Sequence, residues 1–110
     1  MARGEKYTLP GGTAMLVLAL LKEREMYGYQ IIEELERRSN QVFQLKEGTL
    51  YPLLHSLEKD QLVTARDQET PAGRKRRYYR ITAGGLRALE TKREEWQTFS
   101  RAVTAILAGA

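Results

Sequence analysis

Hydrophobic residues along this chain follow a helical period in four places and an alternating one in only a single region. From Thr13 the run TAMLVLALLKER is almost wholly apolar over two turns and rich in Ala, Leu and Met, which predicts a largely buried helix over 13–24. In GYQIIEELERRSN, Gly28, Ile31, Ile32 and Leu35 fall on one side and Glu33, Glu34, Glu36, Arg37 and Arg38 on the other. That is a half-buried surface helix, closed at Asn40 by a residue that tolerates the left-handed conformation. In EGTLYPLLHSLEK, residues 47–59, steps of about 100° per residue gather Leu50, Leu53, Leu54 and Leu57 into one core-facing stripe. The opposite side collects Gly48, Pro52, His55 and Lys59, with Thr49 and Ser56 on one edge and Tyr51 on the other.

The proline limits where this third helix begins. Inside a helix it costs about 3 kcal/mol, because it removes a donor and crowds the carbonyl four residues back. A start near Thr49 puts Pro52 in the first turn, where the missing N–H has no partner to lose; a start at Lys46 or Glu47 requires the backbone to loosen at Gly48.

Downstream, LVTARDQE (62–69) and RKRRYYRIT (74–82) read as strands joined by the turn residues Thr70-Pro71-Ala72-Gly73, a two-stranded hairpin. From Thr82 to Ala110 there is no proline, and Leu86, Leu89, Trp96, Phe99, Val103, Ile106 and Leu107 recur at intervals of about three and four. This predicts one long helix, N-capped by the Thr82 hydroxyl accepting from the Gly85 N–H. The fold class is therefore mainly α: a winged helix-turn-helix with a two-stranded β wing and a long C-terminal helix. Residues 1–12, with Arg3, Lys6, Pro10 and paired glycines, read as an N-terminal arm; 13–82 form the winged unit and 83–110 the last helix.

Composition narrows the chemistry. A chain of 110 residues with 42% hydrophobic content is one domain. With no cysteine, disulfides and thiolate metal sites are excluded. The apolar run from Ala14 to Leu21 is too short to span a bilayer, and the N-terminus has no signal-peptide pattern, so the expected location is the cytoplasm, with no membrane partner. One histidine, no phosphate-cradling glycine loop and no motif-placed pair of carboxylates argue against an enzyme; no catalytic residue, metal or cofactor is expected.

The net charge of +4 suits a polyanion, and its distribution says more. Arg74, Lys75, Arg76, Arg77 and Arg80 lie on the hairpin's turn and second strand, with no acidic residue from Thr70 to Thr82. Such a run on a lone hairpin would read as a solvated face. Beside a third helix whose outward side is also short, polar and basic, it reads as a wing meeting double-stranded DNA. A winged module that binds protein or RNA without sequence-specific DNA contact is the competing reading. Thr49 and Ser56 can donate to phosphates and Lys59 can pair with one. Tyr51 is either a half-buried core ring with an exposed hydroxyl or a phosphate ligand. His55, the one histidine, reads as a surface or DNA-proximal residue without a switching role.

Three segments together resemble the PadR family of bacterial transcriptional regulators, named for the phenolic acid decarboxylase repressor. They are Tyr27-Gly28-Tyr29-Gln30-Ile31, then Glu47 to Leu54 followed by Leu57-Glu58-Lys59, then Arg77 to Thr82 followed by Gly85. The resemblance implies a homodimeric winged-helix repressor, and the single C-terminal helix is similar to the family's short subclass. It implies that Thr49, Tyr51 and Pro52 belong to the DNA-facing start of a recognition helix and that Arg74, Lys75, Arg76 and Arg77 form the wing tip; with Gly48, His55, Ser56 and Lys59, which the helical spacing puts on the same outward side, these are the expected DNA contacts. One departure is Gln61, where a glycine is common; a left-handed cap there costs about 1 kcal/mol that glycine would avoid.

The last helix must bury its stripe, and a second copy of the chain is the expected partner. Leu89, Trp96, Val103 and Ala110 recur every seven residues, with Phe99 and Ile106 between them, a coiled-coil-like dimer seam. Leu86 and Leu89 are also placed to pack on the first helix of their own chain. Trp96 is either dimer core or, as in relatives that this chain resembles, the lining of a pore between subunits for a flat aromatic effector. The function expected is a repressor acting as a homodimer on a palindromic operator, relieved by a small molecule that alters the spacing of its two recognition helices.

Overall fold

The computed structural model describes residues 12–109, so the expected arm falls outside the described residues except for Gly12, which already belongs to the first helix. The elements run α1 (Gly12–Glu23), β1 (Met26–Tyr27), α2 (Gly28–Arg38), α3 (Glu47–Lys59), β2 (Val63–Glu69), β3 (Lys75–Ile81) and α4 (Ala83–Leu107). This is a winged helix-turn-helix followed by a long helix. One feature departs from the expected hairpin: the sheet has three antiparallel strands in the order β1-β3-β2. Met26 pairs with Tyr79 and Tyr27 with Tyr78. Two residues are too few to display a period, so nothing in the hydrophobic pattern announces β1.

Val17 and Leu18 of α1 are fully buried, and around them close Ile31 of α2, Leu50 and Leu54 of α3, Val63 of β2 and Met26 of β1. Leu57 completes the α3 stripe, while Leu53 packs at the rim only partly covered. Truncating a fully buried leucine of this kind costs about 2–5 kcal/mol, so the stripe fixes α3 to the body far more firmly than any surface contact could.

Helix ends follow from left-handed residues. α2 closes with the Asn40 N–H donating to Arg37 O and the Gln41 N–H to Glu36 O, with φ of 54° and 69°. α3 closes the same way: Gln61, at φ 63°, donates to Glu58 O, and Leu62 donates to Leu57 O. These are the paired bonds of a Schellman motif, with a glutamine where glycine avoids the Cβ penalty.

The same corner starts α4. The Thr82 hydroxyl accepts from the Gly85 N–H at 3.0 Å, as expected, and donates to the Gln61 carbonyl at 2.8 Å; the Thr82 N–H donates to Leu62 O at 3.0 Å. Gly85 presses its Cα against the Leu62 carbonyl so closely that a methyl there would overlap that oxygen and Ile81 Cγ1.

Two outcomes are expected at this corner. Gln61→Gly raises the urea midpoint by an amount equivalent to about 1 kcal/mol at fixed protein concentration; an unchanged midpoint would show that the left-handed residue carries no strain. Gly85→Ala lowers the midpoint by about 2 kcal/mol or more, as overpacking against backbone does.

Candidate nucleic-acid interface

The start of α3 decides the proline question. The Lys46 carbonyl accepts from the N–H groups of both Thr49 and Leu50, at 3.0 and 2.9 Å, so the helix begins at Glu47 and Pro52 falls in its second turn, not its first. Residue 52 therefore withholds a donor from the Gly48 carbonyl. Gly48 is exposed and has open space where a side chain would be, so that carbonyl can turn to water. The residues across the helix from the leucines are exposed: Gly48, Pro52, His55, Ser56 and Lys59, with Thr49 half-buried on one edge.

Tyr51 packs against its own chain and is exposed as well. Its ring lies over the first residue of α2, where a methyl on Gly28 would stand 2.7 Å from Tyr51 Cζ, yet the side chain remains 44% exposed. Burial first, then the nearby Glu47 and Tyr79, push its pKa above the ordinary phenol value. The hydroxyl thus stays protonated and able to donate.

An open groove of about 380 Å³ separates the start of α2 from the wing, lined by Tyr27, Gly28, Tyr29 and Tyr51 on one side and Arg74 to Arg77 on the other. The first turn of α2 opens onto it, and its leading N–H groups have no intrahelical acceptor, which favours an anion there. The Tyr27 N–H is already taken by Gln30 Oε1 at 3.1 Å. Tyr27 and Tyr29 were missing from the expected contact residues. Their signal was the aromatic-glycine-aromatic sequence, whose tight glycine lets Tyr51 close over α2.

The wing is less uniformly basic than its second strand suggests. Asp67 stands opposite Arg77 and Glu69 opposite Lys75 in the neighbouring strand. Arg77 pairs with Glu58 at 3.0 Å and with Asp67 at 3.2 Å. Arg76 lies 4.4 Å from the centre of the Tyr27 ring and is half-buried. Arg74 and Lys75 are exposed and form no ion pair among the described residues. The expected run of four equivalent wing cations therefore divides into two outward and two held by their own chain. At the wing's base, Arg66 is hydrogen-bonded to Glu25 and stacks 5.1 Å from the Tyr78 ring centre, holding the Glu25 carboxyl below its usual pKa.

Along α4 the structure corrects two assignments. Leu89, expected both in the dimer seam and on α1, is 3% exposed inside its own chain's core, where α4 packs on α1, so the second expectation holds and the first does not. Leu86, expected to pack on α1, is 42% exposed, because Gly85 rather than Leu86 turns inward at the close approach to Leu62. Farther along, Trp96, Phe99 and Ile106 are exposed and Val103 is half-buried, while Ala110 lies outside the described residues. The Trp96 and Phe99 rings stand 6.1 Å apart at an interplanar angle of 30°.

Among the described residues no helix is long and apolar enough to cross a membrane, and no cluster of three or more His, Cys, Asp or Glu could hold a metal ion. Residues 17–91 match the transcriptional regulator PadR-like family. A transcriptional regulator of Mycobacterium tuberculosis is 37% identical over 81 residues, covering 74% of this chain and 72% of the relative. Among solved structures, a transcriptional regulator from Clostridium thermocellum superposes with a TM-score of 0.79 at 31% identity, covering 86% of this chain and 91% of the other. A PadR family transcriptional regulator from Eggerthella lenta gives 0.78 at 32% identity, covering 88% and 82%. These relatives are regulators, not enzymes, and the matched segment runs from the core of α1 through α3 and the wing into α4; the chain belongs to the PadR-like family of transcriptional regulators.

Proposed function

We propose that this PadR-like regulator is a cytoplasmic homodimeric repressor that binds a palindromic operator. The observation that carries the proposal is a single continuous surface: the exposed polar side of α3 lies beside a groove whose far wall holds the outward cations Arg74 and Lys75. In this reading 13–82 is the DNA-binding unit and 83–110 the dimerisation helix. α3 enters the major groove with Gly48, Thr49, Tyr51, Pro52, His55, Ser56 and Lys59 toward the duplex. The wing's outward cations and the amides of α2 meet the flanking phosphates. The blunt, proline-bearing turn suits close approach, since Pro52 and Gly48 place no long side chain between backbone and bases.

Supporting the dimer is a stripe that one chain leaves largely uncovered: Trp96, Phe99 and Ile106 are exposed and Val103 is half-buried, at a three-four-three spacing along α4. A second copy would bury it and set two recognition helices about 34 Å apart, one turn of duplex. The exposed Trp96 and Phe99 rings, close together on that stripe, supply a stacking surface for a flat aromatic effector between the subunits.

Selection from random duplex DNA at moderate salt is expected to enrich a palindrome; enrichment of none would remove the specific-repressor reading and favour a protein- or RNA-binding module. Replacing Arg74→Ala together with Lys75→Ala should weaken binding to all sequences. The log-affinity against log-salt slope should shrink by about 0.9 for each phosphate no longer neutralised. Sedimentation of the Trp96→Ala, Val103→Ala double variant should show monomer at concentrations where the parent is a dimer, and a variant dimer as tight as the parent's would place the seam elsewhere.

A further inference from the structure

Adjacent residues of a strand face opposite sides, and in β3 this separates Arg76 from Arg77. Arg77 sits where the hairpin leaves the core. Two residues closer to the base Tyr79 is buried, whereas toward the turn Lys75 and Arg74 are exposed, as are Gln68 and Glu69 of the facing strand. The Arg77 guanidinium donates from Nη2 to Glu58 Oε2 at 3.0 Å and from Nη1 to Asp67 Oδ1 at 3.2 Å. Glu58 belongs to the last turn of α3, and Asp67 is the residue facing Arg77 across the hairpin. One planar fork thus ties the recognition helix to the neck of the wing. On the opposite face, Arg76 stacks on Tyr27, the residue that precedes α2. The neck is held from both sides.

The geometry points to Arg77 as a positioning residue, a latch that fixes the angle of the wing against α3, and not as a phosphate ligand. The inference rests on the DNA-binding reading above. A guanidinium already meeting two carboxylates presents no net positive charge to a duplex, and both of its terminal nitrogens are engaged within the chain. Exposed pairs of this kind contribute little to overall stability. What they govern here is orientation, because the strands beyond Arg77 bury no apolar side chain that could hold the tip in place. The planar fork matters, since one lysine ammonium does not reproduce two diverging N–H donors.

Fluorescence anisotropy over a salt series, on a duplex of about 30 base pairs with room for two half-sites one turn apart, separates the two roles. The double variant Glu58→Gln, Asp67→Asn removes negative charge from beside the DNA, so a phosphate-binding Arg77 would bind more tightly. A latch predicts the opposite: affinity falls by roughly 3- to 10-fold at an unchanged salt slope, because the same phosphates are still neutralised. Arg77→Ala and Arg77→Lys should both reproduce that loss. A slope smaller by about 0.9 in Arg77→Ala, the value of one phosphate, or full affinity in Arg77→Lys, would overturn the assignment. Amide hydrogen exchange of the unbound protein gives a reading independent of DNA: residues 68–75 should exchange several-fold faster in each variant, and unchanged exchange would also overturn it. Failure of the unaltered protein to bind any duplex would sink the DNA reading and leave the exchange result to decide the latch.

Discussion

Everything on the outer side of α3, the side proposed to meet DNA, depends on the burial of one leucine stripe. Leu50, Leu54 and Leu57 enter a core made by α1, α2 and the base of the sheet, and that burial holds α3 in place without using its outer face. The consequence is freedom on the other side. Glycine can stand in the first turn and proline in the second, at a cost of about 3 kcal/mol for a proline in a helix interior, because core contacts of greater worth already hold the helix. The residues that weaken α3 as a helix also keep its surface low.

The helices, the hairpin and the α4 cap at Thr82 were legible because each rests on a local rule: a hydrophobic period, a turn sequence, a hydroxyl at a helix start. The third strand was not, since Met26 and Tyr27 become a strand only by pairing with Tyr79 and Tyr78, far along the chain. The start of α3 was legible only as a pair of alternatives. Choosing between them required the Lys46 carbonyl, whose partners no side-chain pattern reports. Gln61 stood between these cases: a departure from a familiar glycine could be seen in the sequence, but its left-handed φ and the contacts that fix it are tertiary facts.

Charge was read least well, and the reason is register. A one-dimensional run from Arg74 to Arg77 shows positive residues without their cross-strand neighbours, and Asp67 and Glu69 belong to another segment of sequence. Once the strands pair, adjacent cations acquire different surroundings. Arg76 meets an aromatic ring, Arg77 meets two carboxylates, and Arg74 and Lys75 face outward. Equal formal charge therefore does not mean equal availability to a phosphate. The rings that the sequence pattern passed over, Tyr27 and Tyr29, matter for the same reason: folding brings them to the groove's other wall.

The heptad along α4 looks continuous, yet it crosses from one environment to another between Leu89 and Trp96. A period cannot mark that boundary, because a leucine buried against its own chain's α1 and a tryptophan left exposed obey the same spacing. The boundary has a mechanical meaning for the proposed regulator. From Trp96 back to Gly85 is about 16 Å of unbroken helix. At Gly85 the backbone is pressed against Leu62, and Thr82 is hydrogen-bonded to Gln61 and Leu62, the two residues that close α3. Continuous helix and direct backbone contacts therefore connect Trp96 to the end of α3. A rotation of α4 forced by a ligand at Trp96 would therefore move α3 with it, and because the leucine stripe is fixed in the same core, α3 would travel as part of the whole winged unit. Induction in such a dimer would change the distance between two intact recognition surfaces and leave each surface itself unaltered.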